Sequence, residues 1–219
     1  MGIVPTNDGK GYFLVGSDGG VFAFGDAPFE GSLPKIGVHV NNIVGIVPTS
    51  DDKGYFLVGR DGGVFAFGDA PFEKSLPGNG VVVNNIVGIS ATPDNGGYWL
   101  VGTNGQVYNL GDAKNFGSAG TANGPVVAIA TTHDGAGYWL TTSNGSVEPF
   151  GDAGNFKDLP DINVVVSNIV SLVPTSDGLG YLLIGRDGGT FAFGDATFPG
   201  SLPGIGVHVN NVVGAVPVA

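Results

Sequence analysis

Short apolar runs recur along the chain, each closed by a polar, glycine-rich turn, as in "NIVGIVPTS" (42–50), "GYFLVG" (54–59) and "GVFAFGDA" (63–70). Runs this short, bounded by Gly, Asp, Asn and Pro, predict β-strands rather than helices. We label them A, B and C in order. In strand B, Tyr55 and Leu57 fall on one face and Phe56 and Val58 on the other. Successive side chains of a strand alternate between faces, so this strand is expected to be covered on both sides. A Thr-x-Asp-x-x-Gly turn separates A from B, and Asp-Gly or Asn-Gly separates B from C. The second pair predicts a two-residue hairpin, because Asn, Asp and Gly tolerate positive φ, and so makes B and C antiparallel. A weaker strand D is expected within "GVVVNN" (80–85).

The pattern is periodic. The tag Gly-Tyr occurs at Gly11-Tyr12, Gly54-Tyr55, Gly97-Tyr98, Gly137-Tyr138 and Gly180-Tyr181, at intervals of 43, 43, 40 and 43 residues. That period falls in the range of about 40–50 residues typical of propeller blades. The fold class expected is therefore all-β, a β-propeller of five blades of about 43 residues each, in one domain over 1–219. The repeats run approximately 1–43, 44–86, 87–126, 127–169 and 170–212, with a surplus strand to 219. Small residues in strand A, such as Gly88 and Ala91, suit the crowded innermost strand. Repeats one, two and five are close copies, and three and four have drifted. Strand A recurs six times against five B–C hairpins, so one is surplus. The expectation is that Val212 to Val218 shares blade one with Gly2 to Thr6 as a clasp, or else docks on a neighbouring molecule by strand exchange.

Composition removes several classes of function. A net charge of −11 disfavours nucleic acid and anionic membranes as partners. No apolar run approaches the ~18 residues of a membrane span. No basic-then-apolar signal segment opens the chain, so any export signal is expected to have been removed or to lie elsewhere. Without cysteine there is no disulfide framework, thiolate metal site or cysteine nucleophile.

Most of the acidity is turn chemistry. Asp8, Asp51, Asp94, Asp134 and Asp177 sit in the A–B turn, Asp18, Asp61 and Asp187 in the B–C turn, and Asp26, Asp69, Asp112, Asp152 and Asp195 in Gly-Asp-Ala. The last set is expected to accept hydrogen bonds from backbone amides at the end of strand C. Calcium is the competing reading, disfavoured because each motif brings one carboxylate where a tight site gathers several, so no metal and no cofactor is expected.

Catalytic residues are not expected. His39 and His208 share a repeat position that Val82 fills in repeat two, and His133 has no nucleophile motif around it. Glu148, where other repeats carry Phe or Tyr, is the lone candidate for a glycosidase-type carboxylate and is read as surface. Trp99 and Trp139 replace Phe13 and Phe56 inside strand B and are expected to be buried between blades. Binding is placed instead on Phe29, Phe72, Phe116, Phe156 and Phe198, read as equivalent aromatics on the loop after strand C. Five such loops would give repeated weak sites. The alternative is that each ring plugs the gap to the next blade.

The segments "GYWLVGTNGQVYNLGDAKNFGS" (97–118) and "GYFLVGRDGGVFAFGDAPFEKS" (54–75) resemble the Gly-Tyr-Trp-Leu-Val, Asp-Gly-Gly-Val-Phe, Gly-Asp-Ala repeats of actinobacterial exported and surface proteins. The resemblance covers essentially the whole chain. It implies a propeller and an extracellular or cell-surface setting, and five copies resemble in architecture the five-bladed tachylectin type of sugar-binding propeller. The function expected is a non-catalytic module binding glycan or cell-wall polymer. The alternative is a structural subunit that self-associates through its terminal strand, and a glycan-active enzyme ranks last. Repeats three and four depart from the pattern, with Asn109 and Pro149 at the Ala23 position and an extra residue before Phe116 and Phe156.

Overall fold

The structure is a computed structural model and describes residues 2–120 and 123–216. Among them, fifteen strands form five antiparallel three-stranded sheets, each built from strands consecutive in sequence. The sheets are β1 (Gly2–Pro5), β2 (Tyr12–Val15) and β3 (Val21–Phe24); β4 (Ile43–Pro48), β5 (Gly54–Gly59) and β6 (Val64–Gly68); β7 (Ile86–Ala91), β8 (Gly97–Gly102) and β9 (Val107–Gly111); β10 (Val126–Thr131), β11 (Gly137–Thr142) and β12 (Val147–Gly151); and β13 (Ile169–Pro174), β14 (Gly180–Gly185) and β15 (Thr190–Gly194). Each is the A-B-C triplet expected, with B in the centre.

Strand D does not form. Residues 80–85 carry no strand, because Pro77–Asn79 makes a 3-10 turn capped by Gly80 at φ 75°, and the Val81 amide then returns to the Leu76 carbonyl at 2.9 Å. The same turn recurs at Pro34–Ile36, Pro160–Ile162 and Pro203–Ile205. The hairpins differ from expectation as well. Gly59 donates to the Gly63 carbonyl at 2.8 Å, so three residues lie between this bonded pair, and positive φ falls on Gly62 (75°) and not on Asp61. This is a tight turn followed by one left-handed residue rather than a two-residue hairpin.

A loop locks each turn. Leu33, Leu76, Leu159 and Leu202 donate to the carbonyls of Gly19, Gly62, Gly145 and Gly188 at 3.1, 3.1, 3.3 and 3.1 Å. A Cβ at Gly62 would lie 2.5 Å from the Leu76 Cδ1. Glycine at the hairpin is thus required twice, by its φ and by the leucine that seats on it.

The described chain divides into two compact units, residues 2–102 with 108–115, and residues 103–107 with the described part of 116–216. In the first, the second face of β1–β3 (Phe13, Val15, Val21) buries against Tyr55, Leu57, Ile43 and Ile46 of the next sheet, and Phe56, Val58 and Val64 against Tyr98, Leu100 and Ile86 of the one after. In the second, Trp139, Val147 and Leu159 bury against Tyr181, Leu183, Ile169 and Phe193. β5, β8 and β11 are buried along their whole length, as their two apolar faces require. The A strands of successive sheets lie side by side, β1 by β4, β4 by β7 and β10 by β13. Small residues there have a direct reason: a Cβ at Gly45 would sit 3.3 Å from Val58 and 3.4 Å from Ile89.

Candidate ligand surface on the repeated loops

The Gly-Asp-Ala aspartates are held by a hydroxyl. Thr6, Thr49, Thr92, Thr132 and Thr175 each place Oγ1 within 3.4 Å of Oδ1 of Asp26, Asp69, Asp112, Asp152 and Asp195. The same Thr49 Oγ1 accepts from the Gly54 amide at 2.9 Å and lies 3.0 Å from Asp51 Oδ1. The backbone donors expected for this carboxylate are replaced by one threonine that joins the A–B turn, strand B and the end of strand C. Backbone amides go instead to the other two sets, as Lys53 to Asp51 at 3.2 Å and Gly63 to Asp61 at 3.0 Å. Among the described residues no three His, Cys, Asp or Glu side chains gather as a metal would need.

Charge at these turns is locally balanced. Hydrogen bonds from the Lys10 and Lys53 ammonium groups, at 2.7 and 2.9 Å, hold Asp8 and Asp51 down to about 2. Threonine and amide donors lower Asp94, and amide and threonine donors lower Asp134 and Asp177. Asp52 moves the other way, raised by burial at a turn where it accepts from the Asn7 amide at 2.9 Å.

The catalytic candidates lie on the surface. His39, His133 and His208 are exposed. Glu148 is half-buried and accepts from Asn123 Nδ2 at 3.0 Å. Trp99 and Trp139 are buried, and their indole N–H groups donate to the carbonyls of Lys114 and Gly154 at 2.7 Å each. Those carbonyls stand two residues after Asp112 and Asp152, on the two loops whose phenylalanine lies one place later than Phe29 does.

The five loop phenylalanines divide into two sets. Phe29, Phe72 and Phe198 are 45, 56 and 57% exposed, with Lys35 Nζ 4.9 Å over the Phe29 ring. Phe116 and Phe156 are half-buried and pack edge-on against Tyr138 and Tyr181 at 5.7 and 5.9 Å. Their register explains the split. Gly31, Lys74, Gly117 and Lys157 each accept a tyrosine hydroxyl, and the residues just before them are Glu30, Glu73, Phe116 and Phe156. No residue is inserted, contrary to the sequence reading: Gly31, Gly117 and Lys157 all stand five residues after the Gly-Asp-Ala aspartate, and Phe116 and Phe156 stand four after it where Phe29 stands three, which puts them at the Glu30 position. Space agrees: Cβ atoms built at Gly68, Gly111 and Gly194 meet Glu30, Glu73 and Phe156 Cγ at 2.8, 2.9 and 3.0 Å.

The sequence reading missed a second group on the same loops. Ile36, Val82, Ile162, Val165 and Ile205 are 60, 95, 48, 96 and 73% exposed, on or just after the 3-10 turns. The signal was present in the Pro-x-Ile and Gly-x-Val spacing, which the expected strand D absorbed.

No protein-family model matches the chain, and no curated protein matches it. Solved β-propellers do. The Myceliophteria thermophila Cps50 (Swd1) β-propeller domain is 14% identical, with a TM-score of 0.60 over 90% of this chain and 65% of that one. Sqt1 from Chaetomium thermophilum is 16% identical, with a TM-score of 0.60 over 94% of this chain and 60% of that one. This chain thus spans less than two thirds of either. The likeness shows the fold: the five sheets are the blades of an all-β propeller.

Proposed function

We propose that this propeller chain is a non-catalytic, exported binding module that holds glycan or cell-wall polymer through repeated weak sites on the loops between strand C and the next strand A. The observation that carries the reading is the exposure of Phe29, Phe72 and Phe198, each about half exposed, on the same loop of three repeats. An exposed aromatic face on a braced loop suits a sugar ring, and its recurrence suits a polymer with recurring units. Phe116 and Phe156 face neighbouring tyrosines, so the binding set is narrowed to the other three. The resemblance to exported actinobacterial repeats supports the setting. Binding of the chain to insoluble cell-wall polysaccharide tests it: the triple variant Phe29→Ala, Phe72→Ala, Phe198→Ala is expected to lose retention about tenfold or more while melting unchanged. Equal retention of variant and parent overturns the reading.

A further inference from the structure

One repeat exchanges an apolar pair for a polar one. In the second and fifth sheets Phe65 and Phe191 stand opposite Leu57 and Leu183, and in the fourth the residue opposite Leu140 is Glu148. Tyr108 holds that place in the third sheet. The loop leading into each sheet changes with it. Val40, Val83 and Val166 stand three residues before Ile43, Ile86 and Ile169, and Asn123 stands three before Val126. Val40 and Phe65 pack on one apolar cluster, Val83 and Tyr108 on another, and Val166 and Phe191 on a third. Asn123 and Glu148 instead make a hydrogen bond, Nδ2 to Oε1 at 3.0 Å.

The loop that carries Asn123 is altered as a whole. Val126 follows Asp112 by 14 residues, where Ile43, Ile86 and Ile169 follow Asp26, Asp69 and Asp152 by 17. Gly117 keeps its place five residues after Asp112, so the missing residues lie beyond it. Proline-led 3-10 turns occupy that stretch at Pro34–Ile36, Pro77–Asn79 and Pro160–Ile162, and among the described residues this loop has none. Its hairpin seat is Ala119, whose amide donates to the Gly105 carbonyl at 3.0 Å where the other loops seat a leucine. Beside that seat, Gln106 Nε2 donates to Ser118 Oγ at 3.1 Å. Apolar cover thus gives way to amides, a hydroxyl and a carboxylate, all within the second compact unit.

Charge indicates what such a place would hold. Glu148 is half-buried with one neutral donor, although an ionised carboxylate offers about four acceptor positions and loses hydration on burial. The ion pairs among the described residues join Lys10 to Asp8 and Lys53 to Asp51, so Glu148 has no cation there. A neutral hydroxyl would fill the free positions and leave the charge uncompensated. A primary ammonium supplies donors and charge together, and a chain of net charge −11 draws it in. From these observations we infer that Glu148 and Asn123 form a single-copy binding site for the primary ammonium group of a ligand, with the ammonium donating to the Glu148 carboxylate beside the Asn123 amide. The site is separate from the loop phenylalanines and does not depend on them.

Calorimetric titration with a free-amine glucosamine tetramer tests the inference, alongside its fully N-acetylated counterpart and a lysine tetrapeptide. The expected result is saturable binding of the free-amine sugar at one site per chain, weakened about tenfold or more in Glu148→Gln. Asp161→Asn, which removes one charge from an exposed aspartate, is expected to bind as the parent does. Binding of the lysine peptide as well assigns the site to any primary ammonium, and binding of the sugar alone assigns it to an amino sugar; either supports the inference. The double variant Asn123→Val, Glu148→Phe restores the Val40 and Phe65 residue types, so it is expected to fold with an unchanged or higher melting temperature and to lose binding. It keeps the test decisive if Glu148→Gln folds poorly. The triple variant Phe29→Ala, Phe72→Ala, Phe198→Ala is expected to keep amine binding, which separates failure of this site from failure of the loop-aromatic reading. Absence of saturable amine binding overturns the inference. So does equal binding by Glu148→Gln and Asp161→Asn, or Glu148-dependent binding of the N-acetylated tetramer at the same affinity.

Discussion

A single threonine per repeat organises the acidic residues. Thr49 is 2% exposed, and its hydroxyl satisfies the Gly54 amide while facing Asp51 and Asp69. Thr49→Val therefore leaves a buried amide unpaired, at a cost of about 1–3 kcal/mol in a denaturant titration. Asp69→Ala, which removes only an exposed acceptor, is expected to cost less. Chelator and added calcium should shift neither variant nor parent, and a chelator-induced loss restored by calcium would reinstate the metal reading. Acid is a separate probe of these turns. Asp8 and Asp51 titrate at about 2 in the fold against an ordinary 3.8. Their contribution is complete above 3.8 and is lost as pH falls toward 2, with Asp94, Asp134 and Asp177 acting in the same direction. Asp52, raised by burial, opposes them, since its proton is held more tightly folded than unfolded. The net expectation, read from thermal melts, is little change from these groups between pH 7 and 5 and a steep loss of stability between about pH 4 and 2. The Asp8 and Asp51 side chains are 46 and 44% exposed, so added salt should flatten that loss.

Each blade is held by the lock between its hairpin and the loop that follows strand C. Gly62→Ala places a Cβ into the Leu76 side chain at a residue with φ 75°, combining overlap with left-handed backbone strain. A loss of about 2–4 kcal/mol in chemical denaturation is expected. The glycine that caps the 3-10 turn differs in kind: at Gly80, φ is also 75° but nothing lies within 4 Å of a Cβ, so Gly80→Ala should cost only about 1 kcal/mol of strain. Equal losses at the two sites would remove the lock as the reason for the Asp-Gly-Gly motif. Strand A, B and C were legible because alternation and turn residues specify them locally. Strand D was not: the valines at 81–83 have strand propensity, but Leu76 captures the Val81 amide, and Val82 is 95% exposed with no strand beside it among the described residues.

For the whole molecule, recurrence matters more than any one loop. On the proposed reading, three exposed phenylalanines on equivalent loops would each bind weakly, and linking such sites raises avidity by ~10²–10⁴-fold when a polymer engages several. A glycan array probed with monomeric chain and with an artificially multimerised form should therefore give faint and strong signals respectively. Null results from both would end the glycan proposal. A charge of −11 adds a constraint, because anionic polymers are repelled and neutral or basic wall material is favoured.

By itself, the sequence determined the period, the A-B-C order and the antiparallel pairing. Those follow from alternation, turn chemistry and repetition, which act over a few residues. Tertiary structure decided which copies of a repeated residue are buried. Tyr55 repeats a local motif, yet its complete burial is set by the repeat packed in front, through the Phe13 ring and the Gly31 carbonyl. It also decided that Phe116 and Phe156 leave the set of exposed loop aromatics, since a phenylalanine one place later in the loop turns from solvent to a neighbouring tyrosine, a distance only packing can set.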